Sequence, residues 1–167
     1  MSRTPFGVKS GGHATNPGFS STHGVQISLT RFNTVKVNTE AQTVEIGPGL
    51  TWDDIYQRLD PYGVTVIGGR VPGVGVGGFI FGGGEGCLSA SRYALSISIW
   101  ILSGYSFKSN QHGLGLDNVV AYELVLPNGT VTTVTADVQD LWFSLRVSGD
   151  YISHWFPWLN SFAGLWE

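Results

Sequence analysis

Two glycine-rich stretches constrain this chain most: Val8-Lys9-Ser10-Gly11-Gly12-His13-Ala14 near the start, and Gly68-Gly69-Arg70-Val71-Pro72-Gly73-Val74-Gly75-Val76-Gly77-Gly78 in the middle. Where Cβ atoms are missing, backbone N–H groups can close on an anionic or flat ligand, and positive φ becomes cheap. His13, set directly against the first stretch, suggests more than a turn.

The residues around these loops supply a folded frame. Val25-Gln26-Ile27-Ser28-Leu29 alternates with the period of a half-buried strand, and Val35 to Val37 and Thr43 to Ile46 repeat the pattern. From Thr51 the period changes. Apolar residues at 52, 55, 56 and 59 predict a helix, with Thr51 as N-cap, Asp54 three residues on, and Gly63 placed to end it. Val119 to Leu126 and Thr130 to Thr135 flank Asn128-Gly129 as a hairpin, and Asp137 to Leu145 reads as a second helix. Asn128-Gly129-Thr130 also fits a glycosylation sequon, but Asn-Gly between two strands favours a two-residue turn. Strands with interspersed helices, lacking strict βαβ alternation, indicate an α+β fold.

Composition narrows the function. Aromatic and charged residues each make up 13% of the 167 residues, which fits a globular body. A net charge of −3 without a local Lys/Arg cluster argues against a nucleic-acid partner. The single cysteine, Cys87, leaves no internal disulfide or cysteine-based zinc site, and His23 and His112 have no partners at metal-ligand spacing. No metal is therefore expected. The start of the chain lacks the basic-then-apolar build of a signal peptide, and the sequence assigns no compartment. The apolar run from Tyr93 to Leu102 is about half the ~20 residues that span a bilayer, so no membrane partner is expected.

Gly73, Gly75 and Gly78 fit G-x-G-x-x-G, which raises a nicotinamide-dependent reductase as one alternative. That fingerprint needs a helix opening at its third glycine. Phe79-Ile80-Phe81 followed by three glycines is a poor helix start.

Several blocks together resemble the FAD-binding, PCMH-type domain of the berberine-bridge-enzyme-like and vanillyl-alcohol-oxidase superfamily. They are the Ser10 to His13 loop, Asn16-Pro17-Gly18-Phe19-Ser20-Ser21, Glu45 to Asp54, the second glycine run, Asn110 to Val119, and the strand pair around Leu126 to Thr130. The resemblance covers about Pro5 to Gly84 and Tyr105 to Arg146. It implies a mixed or antiparallel sheet with flanking helices, and FAD as cofactor. The implied cofactor-binding residues are Ser10, Gly11, Gly12, His13, Ala14, Gly69, Arg70, Val71, Pro72, Val74, Gly75, Gly77, Gly78, Asp117 and Val119.

By the same resemblance, Ser10 to Ala14 wrap the FAD pyrophosphate and His13 bonds the 8α-methyl of the isoalloxazine. The second glycine run lies beneath that ring. Val71 stands where some relatives carry a second, cysteine link. Val74 stands where relatives gate oxygen access, and Asp117 to Val119 meet the adenine end. The implied chemistry is hydride transfer from an alcohol, sugar or amine carbon of a small molecule, with O2 as acceptor; no catalytic residue is assigned.

The chain departs from the family pattern twice. Residues 85–104 interrupt the glycine run before Tyr105-Ser106-Phe107, and residues 147–167 replace the Gly-Gly-Gly-x-Asn-Phe-Gly continuation. The expected organisation is a partial FAD-binding domain at 5–146, a non-family insertion at 85–104 and a non-family tail at 147–167. Both segments are compatible with untranslated sequence kept in frame. An N-terminal βαβ portion and a C-terminal substrate domain are then missing, and the alternative function is a non-catalytic fragment from an imperfect gene model.

Overall fold

Thr51 and Asp54 organise the centre of the chain. The Thr51 hydroxyl accepts from Asp54 N at 3.4 Å, and the Asp54 carboxylate accepts from Thr51 N at 3.0 Å. This capping box satisfies donors that a helix start leaves open. It begins α1 (Trp52–Leu59), in which Trp52, Ile55 and Leu59 are buried and Tyr56 packs against the same core. A 3-10 turn over Asp60–Tyr62 follows, and Gly63, at φ 66°, ends it.

The computed structural model describes residues 4–14, 16–81, 106–126, 128–147 and 159–164; the expected insertion at 85–104 lies outside them. Among the described residues the strands form two sheets. β1 (Phe6–Lys9) and β2 (Val25–Ser28) pair in parallel, with Phe6 opposite Val25. The larger sheet is antiparallel and contains β3 (Val35–Asn38), β4 (Thr43–Ile46), β5 (Val119–Val125), β6 (Val131–Val134) and β7 (Leu159–Gly164). Their spatial order is β3-β4-β7-β5-β6. The architecture is α+β, as the pattern of elements predicts.

Three elements differ from the sequence reading. Helix α2 (Val76–Phe81) forms where the sequence reads as a poor helix start. Its burial of Val76, Phe79 and Ile80 in the core offsets the helix cost of Gly77 and Gly78. The hairpin closes with Leu126 N donating to Thr130 O, so the connection is one residue longer than the expected two-residue turn, and Gly129 takes φ 84° within it.

β7 is the third. The reading of 147–167 as a tail assigns it no element, yet residues 159–164 lie between β4 and β5 and pair with both. Leu159-Asn160-Ser161-Phe162-Ala163-Gly164 has weak strand composition, and its conformation comes from the two open edges it joins.

Three helices complete the order: α3 (Ser109–His112) and α4 (Gln139–Val147) besides α2. The core joins Val44 and Ile46 of β4, Trp52 and Ile55 of α1, Phe79 of α2, Tyr122 and Leu124 of β5, Val134 of β6 and Leu145 of α4. Burying each large apolar side chain is worth about 1.5–3 kcal/mol relative to exposure. The loops at the ends of β1 and α1 are thereby held on a rigid base.

Candidate functional site

β1 delivers the first glycine stretch to the second. A Cβ on Gly11 would lie 2.6 Å from the Gly75 Cα and 3.4 Å from the Gly73 carbonyl oxygen. Only backbone fits at this junction. Ser10 fastens it from the side, its hydroxyl donating to Pro48 O and accepting from Gly77 N at 3.2 Å. Behind the junction, residues 50–52 line up with 74–76. Trp52 N donates to Val74 O at 3.0 Å, Val76 N donates to Leu50 O at 2.9 Å, and Thr51 bridges Gly75 in antiparallel fashion.

The tip of the second stretch is a tight turn. Val74 N donates to Val71 O at 3.4 Å, Pro72 holds the second position, and Gly73 sits at φ 80°. Proline there and a positive-φ glycine next are the residues a type II turn requires. The outward N–H of Gly73 donates to the Asp53 carboxylate at 2.6 Å. Beside it stands His13, whose Cδ2 is 3.7 Å from where a Gly73 Cβ would be. His13 Nδ1 is buried without a hydrogen-bond partner, an expensive state for an imidazole nitrogen.

Gly68 and Gly69 meet the core instead. A Cβ on Gly69 would fall 2.7 Å from Trp52 Cδ1, and one on Gly68 would also collide with the indole. Trp52 packs edge-on against Phe79, with ring centroids 5.0 Å apart. The Tyr56 hydroxyl donates to Gly69 O at 3.0 Å and is also hydrogen-bonded to Ser106. Burial is the main cause that pushes the Tyr56 phenol up to about 12, so it remains a donor at neutral pH.

The other expected site residues fall around this junction. Arg70 places its guanidinium 5.8 Å from the centroid of the Phe107 ring. Val71, Pro72 and Ala14 are exposed, Val74 packs on the core, and Gly78 has open space where a Cβ would sit. Gly12 takes φ 69° with the Lys9 side chain across it. Asp117 is engaged elsewhere, accepting from Leu114 N at 2.9 Å and from Arg146 Nη2 at 2.7 Å. Val119 is buried at the start of β5. The structure thus brings Ser10, Gly11, His13, Gly73, Gly75 and Gly77 together, and gives Asp117 a structural ion pair.

Asp53 and Tyr56 are absent from the sequence-based set. Asp53 lies 20 residues from the glycine it holds, so its only local sign is an acidic first helical turn. Among the described residues no helix is long and apolar enough to cross a membrane.

This fold and this pair of docked glycine loops define a cofactor-binding domain of the PCMH type, and known proteins bear that out. A family model described as FAD binding domain matches residues 2–97. The chain belongs to the FAD binding domain family, and FAD is its cofactor. It is 38% identical over 146 residues to the FAD-dependent monooxygenase yanF of Aspergillus niger, covering 86% of this chain and 22% of that protein. The FAD-dependent monooxygenase macF of Penicillium terrestre is also 38% identical, with 86% and 25% covered. The chain therefore spans about a quarter of the length of these relatives.

Solved structures show the same fold. 6-Hydroxy-D-nicotine oxidase from Arthrobacter nicotinovorans superposes with a TM-score of 0.76 at 22% identity, over 98% of this chain and 31% of its own. Glucooligosaccharide oxidase from Acremonium strictum, described with a 6-S-cysteinyl, 8α-N1-histidyl FAD, gives 0.74 at 22% identity, over 98% and 30%.

The residues present fit FAD. The orphaned His13 Nδ1 and the exposed main chain of Gly11 and Gly12 offer a nitrogen and a strip of accessible backbone in one place. The nicotinamide alternative lacks its setting among the described residues, where the contact preceding α2 is the antiparallel Thr51–Gly75 bridge and no parallel βαβ unit surrounds Gly73.

Proposed function

We propose that this chain is the flavin-holding part of an FAD-dependent oxidoreductase of the oxidase type. The observation that carries the reading is His13: a buried, partnerless imidazole nitrogen on the first glycine loop, against the turn of the second. When bound, FAD supplies hydride acceptance from a substrate carbon, with dioxygen as the terminal acceptor.

The chain's own residues divide the task of holding it. The backbone of Ser10 to Ala14 faces the pyrophosphate, while the Ser10 hydroxyl stays bonded to Pro48 and Gly77 and keeps that backbone in place. His13 would hold the flavin at the 8α-methyl side of its ring, where its partnerless Nδ1 is the nitrogen available for attachment. Val71 carries no sulfur, so His13 is the single point of attachment. Gly75 and Gly77 would serve the ring indirectly, by letting the second loop dock on Gly11 and Ser10, while exposed Gly78 leaves open space on α2. By the family resemblance Val74 would govern oxygen access, and the backbone around Asp117 and Val119 would meet the adenine end.

The relatives named as FAD-dependent monooxygenases support flavin-dependent oxidoreductase chemistry, and the oxidases of the same fold, named for a hydroxynicotine and a glucooligosaccharide, support a small-molecule amine or sugar substrate. Expressing the full chain with FAD and recording its absorption spectrum before and after acid precipitation tests the reading. A flavin band that stays in the precipitate is the expected result. A folded but colourless chain would sink it, and would favour the non-catalytic alternative.

A further inference from the structure

We propose that Asp53 is a positioning residue for His13. Its carboxylate accepts the Gly73 N–H at 2.6 Å and so holds the Val71–Val74 turn beside the imidazole. The functional consequence rests on His13 as the flavin-linking residue; the positioning itself does not.

The geometry is a short chain of contacts. Asp53 belongs to the first turn of α1, and that turn is fixed by Trp52 in the core and by the Thr51–Asp54 capping box. Its carboxylate therefore has a defined origin. Gly73 is the third residue of the turn, and its N–H takes no part in the turn's own hydrogen bond, so its acceptor comes from outside the turn. A carboxylate acceptor makes that bond stronger than a neutral one would. A Cβ built on Gly73 would meet His13 Cδ2 at 3.7 Å, an ordinary contact distance, so the turn stands about one methyl group's width from the imidazole. If the turn swings outward, the imidazole gains room on that side. His13 would then occupy several rotamers, and its Nδ1 would no longer present one direction.

The test uses the full 167-residue chain and two variants, Asp53→Ala and Asp53→Asn. Asparagine keeps an oxygen acceptor of the same reach; alanine removes it. By NMR without FAD, Asp53→Ala should exchange the Gly73 amide about tenfold or more faster and shift the His13 ring resonances, with β5 amides unchanged. Asp53→Asn should restore both signals toward wild type. An unshifted His13 ring in Asp53→Ala, or a folded Asp53→Asn that behaves like the alanine variant, overturns the proposal. Should Asp53→Ala fail to fold, an unprotected Gly73 amide in the wild-type chain overturns it equally.

A second arm separates this from the flavin reading. Incubation with FAD should give acid-stable flavin in wild type and Asp53→Asn, and a markedly lower yield in Asp53→Ala. Absence of acid-stable flavin from wild type removes the covalent role of His13, and the NMR result alone then decides the place of Asp53.

Discussion

Gly11 and Gly75 meet backbone to backbone, and a Cβ on Gly11 would lie 2.6 Å from the Gly75 Cα. A methyl group on either must push two loops apart. Gly11→Ala and Gly75→Ala should each cost about 1–3 kcal/mol and abolish flavin capture. Gly78→Ala is the contrast, since it meets nothing within 4 Å and lies in α2. It should be neutral or stabilise by up to about 1 kcal/mol. Urea midpoints for the three variants check this; a Gly11→Ala chain as stable as wild type would contradict the close approach.

His13→Ala should leave the fold intact and release all flavin from the acid-denatured pellet. Because the substitution also removes a buried nitrogen without a partner, the urea midpoint should fall little. Flavin that remains bound through acid in this variant would place the link on another residue.

Alkaline stability should reflect two tyrosines. Burial is the main cause that raises both Tyr56 and Tyr122 to about 12 from an ordinary value of 10.0. The folded state then holds these protons more tightly than the unfolded state. Their contribution is full below pH 10.0 and is lost as pH rises toward about 12. Tyr56→Phe should flatten part of that loss and, at neutral pH, cost about 1 kcal/mol for the bond to Gly69 O. Urea midpoints across the alkaline range, with tyrosinate absorbance recorded alongside, measure it.

The capping box predicts the opposite flank. Hydrogen bonds from the Thr51 backbone and then the Thr51 hydroxyl lower the Asp54 carboxyl below its ordinary 3.8. Stability from this group is present above pH 3.8 and lost as pH falls through the lowered value. Thr51→Ala should cost about 0.5–2 kcal/mol at neutral pH and reduce the acid sensitivity. Equal acid midpoints for wild type and Thr51→Ala would contradict it.

Local chemistry was legible in the sequence, and tertiary chemistry was not. Thr51 and Asp54 form their box because the partners are three residues apart, so the start of α1 is written in adjacent letters. Gly68 and Gly69 invite a reading as ligand contacts, but what excludes their side chains is the indole of Trp52. Ser10 likewise reads as a pyrophosphate residue, while its hydroxyl is spent on Pro48 and Gly77, 38 and 67 residues away. α2 escaped notice because helix propensity penalises Gly77 and Gly78, and the burial of Phe79 that outweighs the penalty is not a sequence pattern. β1 is four residues long and contains Gly7, too short for alternation to register.

The position of β7 governs the order in which this sheet can assemble. A ribosome releases β3-β4 and later β5-β6 as two hairpins, each able to form early from neighbouring residues. Neither can join the other directly, because the slot between them belongs to residues 159–164, which pair with residues 43–46 across more than a hundred positions. Synthesis must therefore carry two open hairpin edges until that strand emerges. Long-range closure of this kind is slow, and exposed edges during the wait recruit other chains. Yield on expression should then depend on temperature and chaperone supply more steeply than the stability of the finished fold does.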